Sequence, residues 1–221
     1  LGGTAWHAHE MLFGYVGAVI AGFLLTAARN WTGIATPTGG RLGALVLLWL
    51  FCALAAGKLQ LLAQIPAPAL PAITLGLAGL LLLAYHAAPP LRSWIDRLDL
   101  RALVALHLTR FVGFYLLHHE AHDRLPPVFF EAGVGDIVVA GSALALILIP
   151  LTPPVRPRAI TIWNVVGLMN LLFVVASVGR LAVTDPASLR AFMHLPLSLL
   201  PTFLMPLTIA THVIIFLRIS R

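Results

Sequence analysis

Nine histidines stand in a chain of 221 residues of which only 10% are charged, so imidazole is the side chain best placed to do chemistry. Imidazole ligates copper, iron and zinc readily. Three groups can be read from spacing. The first is Trp6-His7-Ala8-His9-Glu10. On a helix His7 and Glu10 share a face, whereas His9 points about 200° away from His7. His7 and His9 therefore do not ligate one ion from a single regular helix, and Glu10 is suited to holding an imidazole from behind. The second group is His118, His119, Glu120 and His122, in which His118 and His122 are one turn apart. The third is His86, His107 and His212, scattered in sequence. For each group two readings stay open: metal or haem ligation, or polar residues satisfied at helix ends or within a bundle.

Arg110 is the other residue that needs explaining. It falls within an apolar run, and a charge at the centre of a bilayer costs about 2.5 kcal/mol or more. His107, Arg110, Phe114 and His118 recur at three- and four-residue steps and are expected to form one helical stripe. Arg110 either pairs with Asp136 or binds an anionic group such as a substrate or a haem propionate.

The elements that must position these residues are membrane helices. Hydrophobic residues make up 60% of the chain, and the mean hydropathy is +0.96. A hydrocarbon layer about 30 Å thick takes roughly 20 helical residues to cross. Seven segments qualify, at about 5–29, 42–63, 69–88, 102–119, 134–150, 159–182 and 196–217. They lack two-residue alternation, which argues against a β-barrel. The expected fold is an all-α polytopic transmembrane bundle forming one domain. Prolines at 66, 68, 71, 89, 90, 126, 127, 153, 154 and 157 mark the breaks, and 91–100 (LRSWIDRLDL) suits a short interfacial helix. With the amino end outside, the cytoplasmic loops and tail carry Arg29, Arg41, Arg92, Arg97, Arg101, Arg156, Arg158, Arg218 and Arg221, against Arg124 and Arg190 outside. That bias puts the carboxyl end in the cytoplasm. It also sorts the histidines into an outer layer (His7, His9, His118, His119, His122, His194) and an inner one (His86, His107, His212).

Net charge is +6, but the basic residues are spread over loops with no basic face, which excludes a nucleic-acid partner. The lone Cys52 forms no internal disulfide and reads as a packing residue. Gly14, Ala18 and Gly22 form a small-residue line suited to helix packing. Trp163-Asn164 reads as an interfacial anchor, and Pro201 and Pro206 are expected to kink the last helix. The chain opens on Leu1 with no charged segment before its first apolar run, so it is expected to lack upstream sequence rather than to start with a signal peptide. Motifs for nucleotide binding or protein-borne hydrolysis are absent, and the residues do not decide whether the chain is an enzyme.

The stretch from Trp6 to Gly33, WHAHEMLFGYVGAVIAGFLLTAARNWTG, resembles the amino-terminal region of the NnrS family, over roughly residues 1–60. The resemblance implies a multi-pass protein of the bacterial inner membrane, containing haem and copper and associated with tolerance of nitric oxide. It makes His7, His9 and Glu10 the leading cofactor-side residues; Arg110 joins them on the separate ground that an arginine in an apolar run can hold a haem propionate. From about Leu106 onward, TRFVGFYLL, GVGDIVVAG, IWNVVGLMNLLFVV and LPTFLMPLTIATHVI look more like uncharacterised small bacterial membrane proteins. Expected partners are the bilayer, a haem or metal, and a further copy of the chain. The alternative function is a metal-free small-solute transporter, with Arg110, Asp136 and the last helix lining its path, or a membrane scaffold.

Overall fold

A computed structural model describes residues 40–120 and 125–220, and all regular structure in them is helical. The helices are α1 (Gly40–Lys58), α2 (Ala69–Ala87), α3 (Pro89–Arg97), α4 (Leu100–Leu106), α5 (Gly113–Glu120), α6 (Val128–Leu148), α7 (Val155–Thr184) and α8 (Met205–Ile219). A 3-10 segment, His107–Val112, joins α4 to α5. Two others, Leu62–Gln64 and Pro186–Met193, follow α1 and α7. A π-helical turn, Leu200–Leu204, runs into α8.

Among the described residues five spans are long and apolar enough to cross a membrane: Ala69–Ala87, Leu100–His118, Val128–Leu148, Val155–Thr184 and Leu200–Ile219. α1 adds a shorter apolar stretch, Val46–Lys58. The expected first segment, 5–29, lies outside the described residues. The interfacial helix expected at 91–100 is α3. Asp99 then caps α4 by accepting from the Arg101 backbone N–H at 3.0 Å.

Two helices start earlier than the proline clusters suggest. α6 begins at Val128 behind Pro127, and α7 at Val155 behind Pro154, with Pro157 in its first turn. Proline fits a first helical turn, where its missing N–H would have no partner anyway. As a result Asp136 is more than two turns inside α6. Trp163 and Asn164 are likewise inside α7 and buried, rather than anchored at a surface.

The apolar packing falls into two main clusters. One gathers Leu70 near the start of α2, Leu116 of α5, Phe129 near the start of α6, Val174 toward the end of α7, and Phe192 and Leu200 ahead of α8. The other gathers Tyr85 near the end of α2, Val104 of α4, Ile147 near the end of α6, Ile160 near the start of α7, and Ile215 near the end of α8. Starts meet ends, so successive spans alternate in direction. At the second end Arg218 donates to the Ile95 carbonyl at 3.1 Å, bringing the α8 terminus against α3. Large apolar side chains such as Phe51, Leu80, Val138, Ile162, Met169 and Phe173 are exposed, as expected of a face turned to lipid. Cys52 is on that exposed surface and not in the packing core.

The last span carries the expected proline distortion. Around the π turn, Thr74 Oγ1 donates to the Pro201 carbonyl at 3.1 Å and Trp49 Nε1 donates to the Thr202 carbonyl at 3.1 Å. Carbonyls released from helical pairing thus find partners on α2 and α1.

Candidate functional site: a buried polar cluster in the bundle

Between the two apolar clusters is a group of fully or nearly buried polar side chains: His107, Arg110, Asp136, Asn164, Thr211 and His212. Each comes from near the middle of its span. Arg110 is the hub. Its Nε donates to Asp136 Oδ1 at 2.9 Å, and Nη2 makes ion contact with the same oxygen at 2.7 Å without hydrogen-bond alignment. Nη1 donates to the Gly167 carbonyl at 3.0 Å and approaches His212 Nε2 at 3.3 Å. Asn170 Nδ2 donates to Asp136 Oδ1 at 3.2 Å. The expected Arg110–Asp136 pairing is therefore present.

The network assigns the His212 tautomer. A guanidinium only donates, so Nε2 is the acceptor and Nδ1 carries the proton. Nδ1 donates to Asn164 Oδ1 at 2.7 Å, and Asn164 Nδ2 donates to the His212 carbonyl at 3.0 Å. The His107 ring lies 4.1 Å from the His212 ring and 5.0 Å from Trp163, centroid to centroid. His107 Nε2 is 3.2 Å from Thr211 Oγ1, and Nδ1 has no partner among the described residues. Trp163 Nε1 donates to the Val139 carbonyl at 3.1 Å.

Glycines allow this proximity. A Cβ on Gly167 would sit 2.5 Å from His212 Cε1 and 2.7 Å from Nε2. A Cβ on Gly135 would collide with Asn170 Oδ1.

Of the third histidine group, His107 and His212 come together. His86 does not join them; it is exposed near the end of α2. His107 and Arg110 face the core, whereas Phe114 and His118 are exposed, so the expected four-residue stripe is not a single face. The 3-10 segment explains this. Three residues per turn across His107–Val112 rotate α5 out of the 3.6-residue register set by α4. His118 and His194 are exposed. His7, His9, Glu10, His122 and the side chain of His119 lie outside the described residues.

Spacing alone missed Asn164, Gly167 and Asn170. They recur at three-residue steps in an apolar helix, which is the signal that could have marked a polar face.

The NnrS protein family model matches residues 1–152. The chain belongs to the NnrS family. The match runs well beyond the roughly 60 residues that carry the visible resemblance, and it includes His107, Arg110 and Asp136. Asn164, Gly167, Thr211 and His212, which complete the cluster in this NnrS chain, lie beyond it. No curated protein and no solved structure matches the chain.

Whether the inner cluster suits a metal is decided by its donors. His107 Nδ1 is a buried ligand without a partner, but both His212 nitrogens are engaged, and one of them faces a guanidinium. Among the described residues no three His, Cys, Asp or Glu side chains gather as a metal would require. A cation there would also meet the Arg110 charge. Among the described residues the cluster offers no ligand set for a metal; it is a polar network that ties four spans together.

Asn164→Leu keeps the branching at Cγ while removing both bonds to His212. It leaves the His212 Nδ1–H stranded, and about 1–3 kcal/mol of stability should go with it. Thermal unfolding in detergent reads this directly, and an unchanged melting temperature would remove Asn164 from the network.

Proposed function

We propose that this NnrS-family chain is a protein of the bacterial inner membrane that binds haem, copper or both and serves the response to nitric oxide. In this reading the ligands come from the outer histidine layer, with His7, His9 and Glu10 first and His118, His119 and His122 facing them. The amino end is outside and the carboxyl end cytoplasmic. The carrying observation is the family match, which spans the WHAHEMLFG segment. The closed donor set around His212 supports assigning the inner residues to architecture instead. A bound haem or copper would supply redox and ligand-binding chemistry; the chain would orient it and exclude water.

The test is an optical spectrum with copper and iron analysis on the detergent-purified protein. The expected result is a Soret band or stoichiometric copper, lost in His7→Ala or His9→Ala and kept in His107→Ala. A protein free of haem and metal, or one losing the cofactor only with His107, would overturn the assignment.

A second reading, a metal-free small-solute transporter, is favoured by one specific feature: the Arg110–Asp136 pair beside a π-distorted helix. There Arg110→Lys would abolish solute binding without changing metal content.

A further inference from the structure

Adjacent to the polar cluster, the bundle holds a partly open pocket with about 40 Å³ of room. Its walls come from α2, α5, α6, α7, the segment after α7, and the π turn, and they include Ala132, Leu171, Val175, Phe192 and Met205. Among the described residues two of those lining it are polar, Thr74 and Asp136. Thr74 spends its hydroxyl proton on backbone carbonyls, those of Leu70 at 3.0 Å and Pro201 at 3.1 Å. Asp136 is different. Arg110 Nε, Arg110 Nη2 and Asn170 Nδ2 all converge on Oδ1. Oδ2 takes no hydrogen bond among the described residues, and the side chain keeps 12% exposure although the residue is deep in the bundle. Oδ2 is thus the oxygen left to the cavity.

We propose that this cavity is a binding site for a small neutral solute carrying one hydrogen-bond donor on an otherwise apolar body, such as a short alcohol. Size is set by volume: 40 Å³ holds about three water-sized spheres, so the ligand has two to four heavy atoms. The donor is set by Oδ2, a carboxylate oxygen with unfilled lone pairs on the pocket wall. Neutrality is set by the pair behind it. Arg110 already balances the Asp136 charge, so a cation would surrender its hydration to a site of zero net charge, and an anion would face lone pairs. The remaining walls call for the apolar body. The site uses none of the proposed haem or copper ligands, so it stands or falls separately from them.

Saturation-transfer NMR on the full chain in nanodiscs tests this with ethanol, dimethyl ether, methylammonium and formate as probes, and xenon NMR reports the cavity itself. Ethanol should bind saturably and about tenfold tighter than dimethyl ether, which lacks the donor, while both ions fail to bind. Ala132→Leu, which fills the cavity, should abolish the ethanol and xenon signals together. Asp136→Asn should keep xenon while changing the ethanol preference. Equal binding of ethanol and dimethyl ether, preferential binding of either ion, absence of any saturable probe, or ethanol binding unaffected by Ala132→Leu would each overturn the proposal. The probe series on the unmodified chain decides the matter alone should either variant fail to fold.

Discussion

Arg110→Ala should cost about 3–5 kcal/mol of stability, because it leaves the Asp136 carboxylate buried without its counter-charge. The geometry makes the loss large. Arg110 contacts Asp136 through two nitrogens, and its third reaches the Gly167 carbonyl and His212. Removing it therefore strands the acceptors on α6 and α8 and takes one of two donors from the Gly167 carbonyl of α7, in an interior where bulk solvent does not replace the donors. Arg110→Lys keeps the charge but offers a single ammonium in place of a planar fork, so it should recover only part of the loss. Combining Arg110→Met with Asp136→Leu should cost less than the sum of the two single changes, since no uncompensated charge then remains. Chemical denaturation in mixed micelles gives the four corners of this cycle. Single variants within 1 kcal/mol of the parent would show that the pair contributes far less than an interior ion pair should.

That pair is partly legible in the sequence. A lone arginine inside an apolar run demands a partner, and Asp136 is the candidate acid. What the sequence conceals is where α6 begins. Pro126-Pro127 reads as a break, and a span starting at 134 leaves Asp136 near its end. Proline at a helix start is no break, and the six residues so recovered place Asp136 alongside Arg110. The same mechanism hides Asn164: starting α7 at 159 makes Trp163-Asn164 a surface dipeptide, whereas starting it at Val155 buries both. The histidine stripe fails for another reason. Periodicity assumes one continuous helix, and the 3-10 segment at His107–Val112 changes the angle per residue midway. His107 and His212, 105 positions apart, share one depth by topology alone, and their rings are adjacent. Position along the span is legible from hydropathy; rotation about the helix axis is not, because it depends on which turn is α and which is 3-10.

Gly113→Val should be the most damaging change that touches no polar group. α5 and α6 cross where Gly113 and Gly133 meet. A Cβ on Gly113 would collide with the Gly133 carbonyl and sit 3.0 Å from Ile137 Cγ1 and 3.1 Å from Asp136 Cβ, while a Cβ on Gly133 would sit 2.9 Å from the Gly113 carbonyl. The nearest obstacle in each case is backbone, so no side-chain rotation relieves it, and the helices must separate. Gly113 is three residues after Arg110 and Gly133 three before Asp136, so the crossing is one turn from the ion pair on both helices. Parting the crossing therefore pulls on the Arg110–Asp136 contact. Overpacking of this kind costs typically about 1–3 kcal/mol, occasionally more; here the strained ion pair adds to it, so Gly113→Val should approach the Arg110→Ala loss, with Gly113→Ala intermediate. The coupling supplies the discriminating measurement. In a background already lacking both charges, Arg110→Met with Asp136→Leu, Gly113→Val should cost clearly less than in the parent. Equal cost in both backgrounds would show that the glycine crossing packs two helices without setting the geometry of the charges beside it.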